Sequence, residues 1–212
     1  MSPTTSPSRW KPISTPRLTL REYEASDEAT LFTLESNTAN AQYQHWGPWT
    51  REQARDSIAK SLQQQLDSRR TVVELAVMRT QTGEFLGRVG ARVHRSEADI
   101  QVDDDGEVST VHRDGTEGVR RVGVWFSFLP CVQGRGFATE AVRGLLGGLR
   151  EGGGGEGRGL EVVVECDPRN EGSWKLAERL GLQRVRLVER AYESKGEWVG
   201  SLVYMGVLGC VC

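Results

Sequence analysis

The stretch Pro130-Cys131-Val132-Gln133-Gly134-Arg135-Gly136-Phe137-Ala138-Thr139-Glu140-Ala141 follows an apolar run, residues 122–129, and leads into the spacing Ala138, Ala141, Val142, Leu145, Leu146, Leu149. The run reads as a strand, and the spacing reads as one face of a helix reaching about residue 150. Glycines on either side of Arg135 permit a tight turn, so successive N–H groups can face one concavity. The helix behind the turn adds the positive end of its dipole. Strand, glycine turn and helix N-terminus together make an anion site suited to phosphate or pyrophosphate. A Gly-rich connection holding no ligand fits the same residues.

Two nucleotide signatures are excluded. No Gly-Lys-Ser/Thr closes the turn, and Thr139 stands where Gly-x-Gly-x-x-Gly needs its last glycine. The pattern Gln/Arg-x-x-Gly-x-Gly/Ala is filled by Gln133, Gly136 and Ala138, and it resembles the acetyl-CoA-binding segment of the GNAT acetyltransferases. The continuation Gly-Phe-Ala-Thr-Glu-Ala is similar to the ribosomal-protein N-terminal (RimJ/RimL-like) branch. Thr15-Pro16-Arg17-Leu18-Thr19-Leu20-Arg21 resembles the opening strand of that branch. Asn170-Glu171-Gly172-Ser173, followed by an amphipathic run ending Leu180-Gly181, resembles its second block; Leu182 stands where an aromatic residue or methionine is usual. The resemblance covers most of residues 14–208 and leaves 94–121 unmatched.

The fold so implied is α/β (α+β): a GNAT-like twisted mixed sheet of six to seven strands, helices on both faces, and a central parallel strand pair that splays. In chain order, residues 1–12 read as a disordered leader and 13–209 as one N-acetyltransferase domain with a polar insertion at 94–121. Leu18 and Leu20 alternate with polar neighbours as in a strand. Ser26 and Asp27 read as a helix cap, with Ala29, Leu31, Phe32 and Leu34 as the apolar face. Residues 36–50 are irregular and aromatic; Tyr43, His45, Trp46 and Trp49 line a pocket or tuck into the core. Thr50 caps a helix over about 51–66 with Ile58 and Leu62 on one side. Residues 71–79 and 85–93 form a hairpin around Thr82-Gly83.

The insertion carries Asp103-Asp104-Asp105-Gly106-Glu107, which lacks the order of a calcium loop and reads as solvated chain. Gly144, Gly147 and Gly148 each weaken the helix after the turn by about 1 kcal/mol relative to alanine. Gly152 to Gly159 is a flexible connector, and 160–166 is a buried strand. A closing hairpin spans 184–192 and 198–208 around Lys195-Gly196.

Charge is nearly balanced, 27 Lys+Arg against 29 Asp+Glu for a net of −2, which argues against nucleic acid as partner. No apolar run reaches the 18–20 residues or so of a membrane span, so no membrane partner is expected. Residues 1–12 lack the apolar core of a signal peptide, so export is not indicated and a cytoplasmic setting is expected. Cys131, Cys166, Cys210 and Cys212 show no metal spacing, so no metal is expected. Cys131 is close to the turn, but no histidine is near it in sequence to activate it. A monomer or a homodimer is expected.

The resemblance implies acetyl-CoA as co-substrate and direct acetyl transfer to an amine acceptor, a protein N-terminus or a small molecule. It places backbone groups of Phe126, Ser127 and Phe128 on pantetheine and the acetyl group. The segment Gln133, Gly134, Arg135, Gly136, Phe137, Ala138 and Thr139 takes the pyrophosphate, with Asn170 and Ser173 at the thiol end. Ser173 is implied as the acid that protonates the departing thiolate; a helix cap is its other reading. The base is a gap, because Arg120 and Arg121 stand where relatives carry a carboxylate. Glu117, Glu35 or an ordered water is left for that role. A catalytically silent acyl-CoA-binding sensor and an unrelated phosphate-binding protein are the competing functions.

Overall fold

The computed structural model describes residues 10–67, 70–94, 98–102, 108–112, 120–151 and 159–208. Among the described residues ten strands and five α-helices follow in chain order. They are β1 (Ile13–Ser14), β2 (Leu18–Glu22), α1 (Glu28–Glu35), α2 (Thr38–Ala41), α3 (Arg51–Leu66), β3 (Val72–Arg79) and β4 (Phe85–Val93). Then come β5 (Ala98–Val102), β6 (Val108–His112), β7 (Arg120–Phe128), α4 (Phe137–Glu151), β8 (Leu160–Cys166), α5 (Glu171–Arg179), β9 (Gln183–Ser194) and β10 (Glu197–Leu208). Eight strands make one sheet in the order β1-β2-β3-β4-β7-β8-β10-β9, and β5-β6 pair only with each other. The strand beyond the expected seven is the two-residue β1.

Every neighbouring pair in the large sheet is antiparallel except β7-β8. That parallel register runs from Arg120↔Leu160 to Gly123↔Val163 and stops, although β7 continues to Phe128 and β8 to Cys166. Each strand stays paired on its other side, β7 to Gly87 of β4 and β8 to Leu202 of β10. The two strands therefore part while remaining anchored, and beyond Gly123 and Val163 their facing backbone groups no longer pair with each other.

The sheet's two faces differ in chemistry. One face packs against α4 and α5 through Leu75, Val89, Val124, Val162, Leu145, Leu149 and Leu176, in a single apolar cluster. The other carries α1 and α3, with Leu31, Leu34, Ile58, Ala76 and Phe85 in a smaller cluster beside Tyr23. Strand alternation sends Leu75 and Val77 to the first face and Ala76 to the second.

Local chemistry explains the element ends. Thr50 and Gln53 form a reciprocal capping box at α3. Lys195 and Gly196 adopt φ of 55° and 78°, the primed hairpin turn that joins β9 to β10. At α1 the entry differs from the expected Ser26/Asp27 cap: Glu24 and Asp27 form a capping box around a 3-10 turn, and Asp27 is pulled inward by Arg21. Ala29 is exposed, while Phe32 lies under the Arg51 guanidinium, so the buried stripe reduces to Leu31, Leu34 and Glu35. On α4, Gly144 and Gly148 mark a close approach: an added Cβ would come within 2.9 Å of Thr15 and 2.6 Å of Ile13. These glycines admit β1 against the helix.

Within the stretch 94–121 stand the paired strands β5 and β6. The acidic run 103–107 and residues 113–119 lie outside the described residues, as do 1–9 and most of the 152–159 connector. Trp10 packs against the core beside Gly148. Among the described residues no helix is long and apolar enough to cross a membrane.

Candidate active site

A cleft of about 540 Å³ opens where β7 and β8 part. Phe126, Ser127 and Phe128 of β7 form one wall, and Gly134, Gly136, Phe137, Ala138 and Thr139 form the floor of the glycine turn. Asn170, Gly172, Ser173, Lys175, Leu176 and Arg179 of α5 and its N-terminus face them. Ala39, Asn40, Tyr43 and Gln44 close the end near α2. Eleven of the twelve residues expected at the cofactor meet in this one space, and Arg135 does not line it.

Gly134 and Gly136 have φ of 73° and 78°, a conformation that an L side chain resists. The first α4 bond at the turn runs from Glu140 N to Gly136 O, so the amides before Glu140 precede the helical ladder. That arrangement suits an anion. Gln133 holds the turn against its surroundings, its Nε2 donating to Phe128 O at 2.9 Å and to Asn40 Oδ1 at 3.3 Å. Arg135 is exposed, and its carbonyl accepts from Arg17 Nη1 at 3.1 Å.

Arg17 and Glu140 tie the opening strand to this helix, a contact the sequence does not announce. Glu140 accepts from Thr15 Oγ1 (2.6 Å), Arg17 N (2.8 Å) and Arg17 Nε (2.6 Å). Partial burial pushes the Glu140 carboxyl upward, but these donors outweigh it and hold the group below its usual range. The Arg17 guanidinium lies 4.5 Å from the centre of the Phe137 ring. Past Thr139 the cleft continues into a shallower depression with Arg143 and Arg179, and Arg179 Nε donates to Thr139 Oγ1 at 3.3 Å. Lys175 and Arg179 fall four residues apart on α5, a spacing that places both on one side of the helix once α5 is known to face the cleft.

Asn170 is the N-cap of α5, its Oδ1 accepting from Ser173 N at 3.2 Å. Ser173 therefore lies inside the first turn with its hydroxyl free of the capping role. Of the aromatic segment 36–50, Tyr43 lines the cleft, His45 stacks on Tyr192 at 4.3 Å, and Trp49 covers Arg88. Trp46 is exposed. Lys195 Nζ donates to Ala41 O at 2.5 Å, joining this segment to the β9–β10 turn.

Arg121 Nε is 2.5 Å from Glu161 Oε2 and Arg120 Nη2 donates to Leu149 O, so both side chains turn to the sheet and α4. Glu117 lies outside the described residues. Glu35 is 3% exposed behind β7. Cys131 is exposed, whereas burial and two neighbouring carboxylates push the Cys166 thiol up to about 12. Among the described residues no group of His, Cys, Asp and Glu is placed to hold a metal ion.

The arrangement has counterparts among solved structures. A GNAT-family acetyltransferase from Bacillus anthracis is 18% identical over 93% of this chain and 98% of its own, with a TM-score of 0.67. RimL, a ribosomal L7/L12 α-N-protein acetyltransferase in complex with coenzyme A, is 17% identical over 93% and 98%, with a TM-score of 0.66. An acetyl transferase from Salmonella typhimurium that modifies the N-terminal serine of L7/L12 is 15% identical over 93% and 99%, with a TM-score of 0.65. These likenesses establish the fold. No curated protein matches the sequence. The acetyltransferase (GNAT) domain model matches residues 17–183, the span from the opening strand through α5, and the chain belongs to that acetyl-CoA-using enzyme family.

Proposed function

We propose that the cleft binds acetyl-CoA and that the chain moves its acetyl group directly to the amine of a protein N-terminus or small molecule. One observation carries this: the parallel strands part directly beside a glycine turn that opens a helix, and Ser173 faces the same space. Pantetheine would lie as an added strand against Phe126, Ser127 and Phe128. The amides from Gly134 to Thr139 would take the pyrophosphate, with Lys175 and Arg179 adding charge. Arg135 would add charge from outside the cleft.

At the thiol end the reaction needs a neutral amine, a donor for the oxyanion and a proton for the thiolate. Ser173 is assigned the last task. Ser173→Ala is expected to lower kcat by at least tenfold with acetyl-CoA affinity unchanged; an unchanged kcat removes that assignment.

Arg121 bound to Glu161, where relatives carry a carboxylate, favours a second reading: a silent acyl-CoA-binding module. Thiol release from acetyl-CoA, followed over a panel of N-terminal peptides, polyamines and aminoglycosides, separates the two. Turnover with one class supports the transferase. Tight binding with no release across the panel supports the module.

A further inference from the structure

The sheet face under α1 and α3 buries charge that packing alone does not require. Glu35 is 3% exposed, Arg88 7% and Tyr23 2%. Arg88 Nη1 and the Trp125 indole N–H both donate to Glu74 Oε1, at 2.7 and 2.9 Å. Arg88 Nε lies 2.9 Å from Glu35 Oε1 but off the hydrogen-bonding direction, and both atoms are buried without a hydrogen bond. A buried polar atom left so is costly, and its retention asks for a reason.

The reason lies one strand away. Ser127 stands directly opposite Arg88 in the β4-β7 register, on the same side of the sheet, which brings its hydroxyl beside the Glu35 carboxyl that Arg88 pairs with. Ser127 also lines the cleft. One hydroxyl thus borders both the reaction space and a carboxylate shut away from water.

We propose that Ser127 is a catalytic residue and Glu35 its positioning partner, the Ser127 hydroxyl taking a proton from the acceptor ammonium as its own proton passes to Glu35. This rests on the acetyl-transfer reading above. The ammonium N–H bond breaks and a Ser127 O–H bond forms, while the original Ser127 proton binds the carboxylate. The freed nitrogen lone pair forms the C–N bond, and collapse of the tetrahedral adduct breaks the C–S bond. The second ammonium proton replaces the one that Ser173 gives the thiolate. One ammonium and one thioester become an amide, a thiol and a proton, which passes back from Glu35 through the Ser127 hydroxyl to the open cleft before the next turnover.

The surroundings of Glu35 favour this traffic. Burial raises its proton affinity, Arg88 on β4 lowers it, and Glu74 on β3 raises it again, leaving the carboxyl above its usual range. Tyr23, after β2, faces the same group and is held neutral by burial, with Asp27 acting on Tyr23 from the start of α1. A carboxyl moved toward neutrality is a better proton acceptor than an ordinary glutamate.

The test uses the full chain and the amine that the panel shows to be turned over best. The readouts are kcat against pH, and acetyl-CoA affinity by calorimetry. Ser127→Ala is expected to lower kcat at least 100-fold with acetyl-CoA affinity within twofold of wild type. Glu35→Gln is expected to match it and to lose the acid limb of the pH profile. The double variant should be no slower than either single one, because the two act as a unit. Ser127→Thr, which keeps the hydroxyl, should recover most of the rate. If Glu35→Gln fails to fold, the Ser127 pair decides alone. Ser127→Ala within twofold of wild-type kcat, or a rate loss matched by lost acetyl-CoA affinity, overturns the relay and leaves the transferase standing. A wild-type chain that binds acetyl-CoA yet acetylates no amine overturns the transferase, and the relay with it.

Discussion

The two faces of the sheet are built on opposite terms. Against α4 and α5 the strands present Val, Leu and Phe, and the cluster runs unbroken from Leu18 on β2 to Tyr204 on β10. Against α1 and α3 they present Glu74, Arg88, Trp125 and Ser127 among a few apolar side chains. Arg70 and Glu22 pair at the margin of that second face, and Arg21 and Asp27 beside them. The apolar face gives net stabilisation in proportion to area removed from water. The charged face gains much less, because desolvation cancels most of the attraction between buried ions. The first face supports the strands that must stay fixed while they part. The second holds polar groups within one strand's width of the cleft.

That contrast can be broken from either side. Gly136→Asp has the largest expected effect: a side chain at φ 78° and a negative charge in the anion cradle should reduce acetyl-CoA affinity at least 100-fold by calorimetry. Arg88→Met should lower stability by about 3–5 kcal/mol in urea unfolding, since Glu35 and Glu74 are left as unpaired buried charges. If Glu35, Glu74 and Arg88 are all replaced by apolar residues of similar volume, stability should return to near wild type or exceed it while the acetylation rate stays low. Leu145→Ala, on the apolar face, should cost about 2–5 kcal/mol and leave acetyl-CoA affinity unchanged.

The smallest effect is a pH dependence. The Glu140 carboxyl is held below its usual range, so its contribution is present above the ordinary glutamate value and is lost as pH falls through the folded one. Glu140→Gln should therefore lower Tm at pH 7, and the difference from wild type should shrink as pH drops below about 4.5. A difference independent of pH would show that Thr15 and Arg17 do not stabilise the ionised form.

Much of the apolar face was legible in the sequence. Leu18 with Leu20 and the spacing from Ala138 to Leu149 carry a period, and the 71–93 hairpin and the 122–129 run are β-rich segments bounded by turn residues. The glycine turn was legible because positive φ selects its residue. The charged face was not. Nothing local in the sequence marks Arg88 as buried, Glu35 stands there only as one candidate base among three, and the helices laid over them bury both. Arg17 with Glu140, and Asn40 with Gln133, meet across 123 and 93 residues, a distance no local pattern spans. β5 does alternate, as Ala98-Asp99-Ile100-Gln101-Val102 illustrates, but the acidic run that follows it masks the pattern.

Amide hydrogen exchange of the full chain, with and without acetyl-CoA, tests the central claim most directly. Binding between the parted strands should slow exchange at residues 124–128, 134–139 and 170–176, and leave the β2–β3 pair unchanged. Saturation with acetyl-CoA that leaves those three segments unprotected, or protects another part of the fold instead, would contradict the placement of the cofactor and the function built on it.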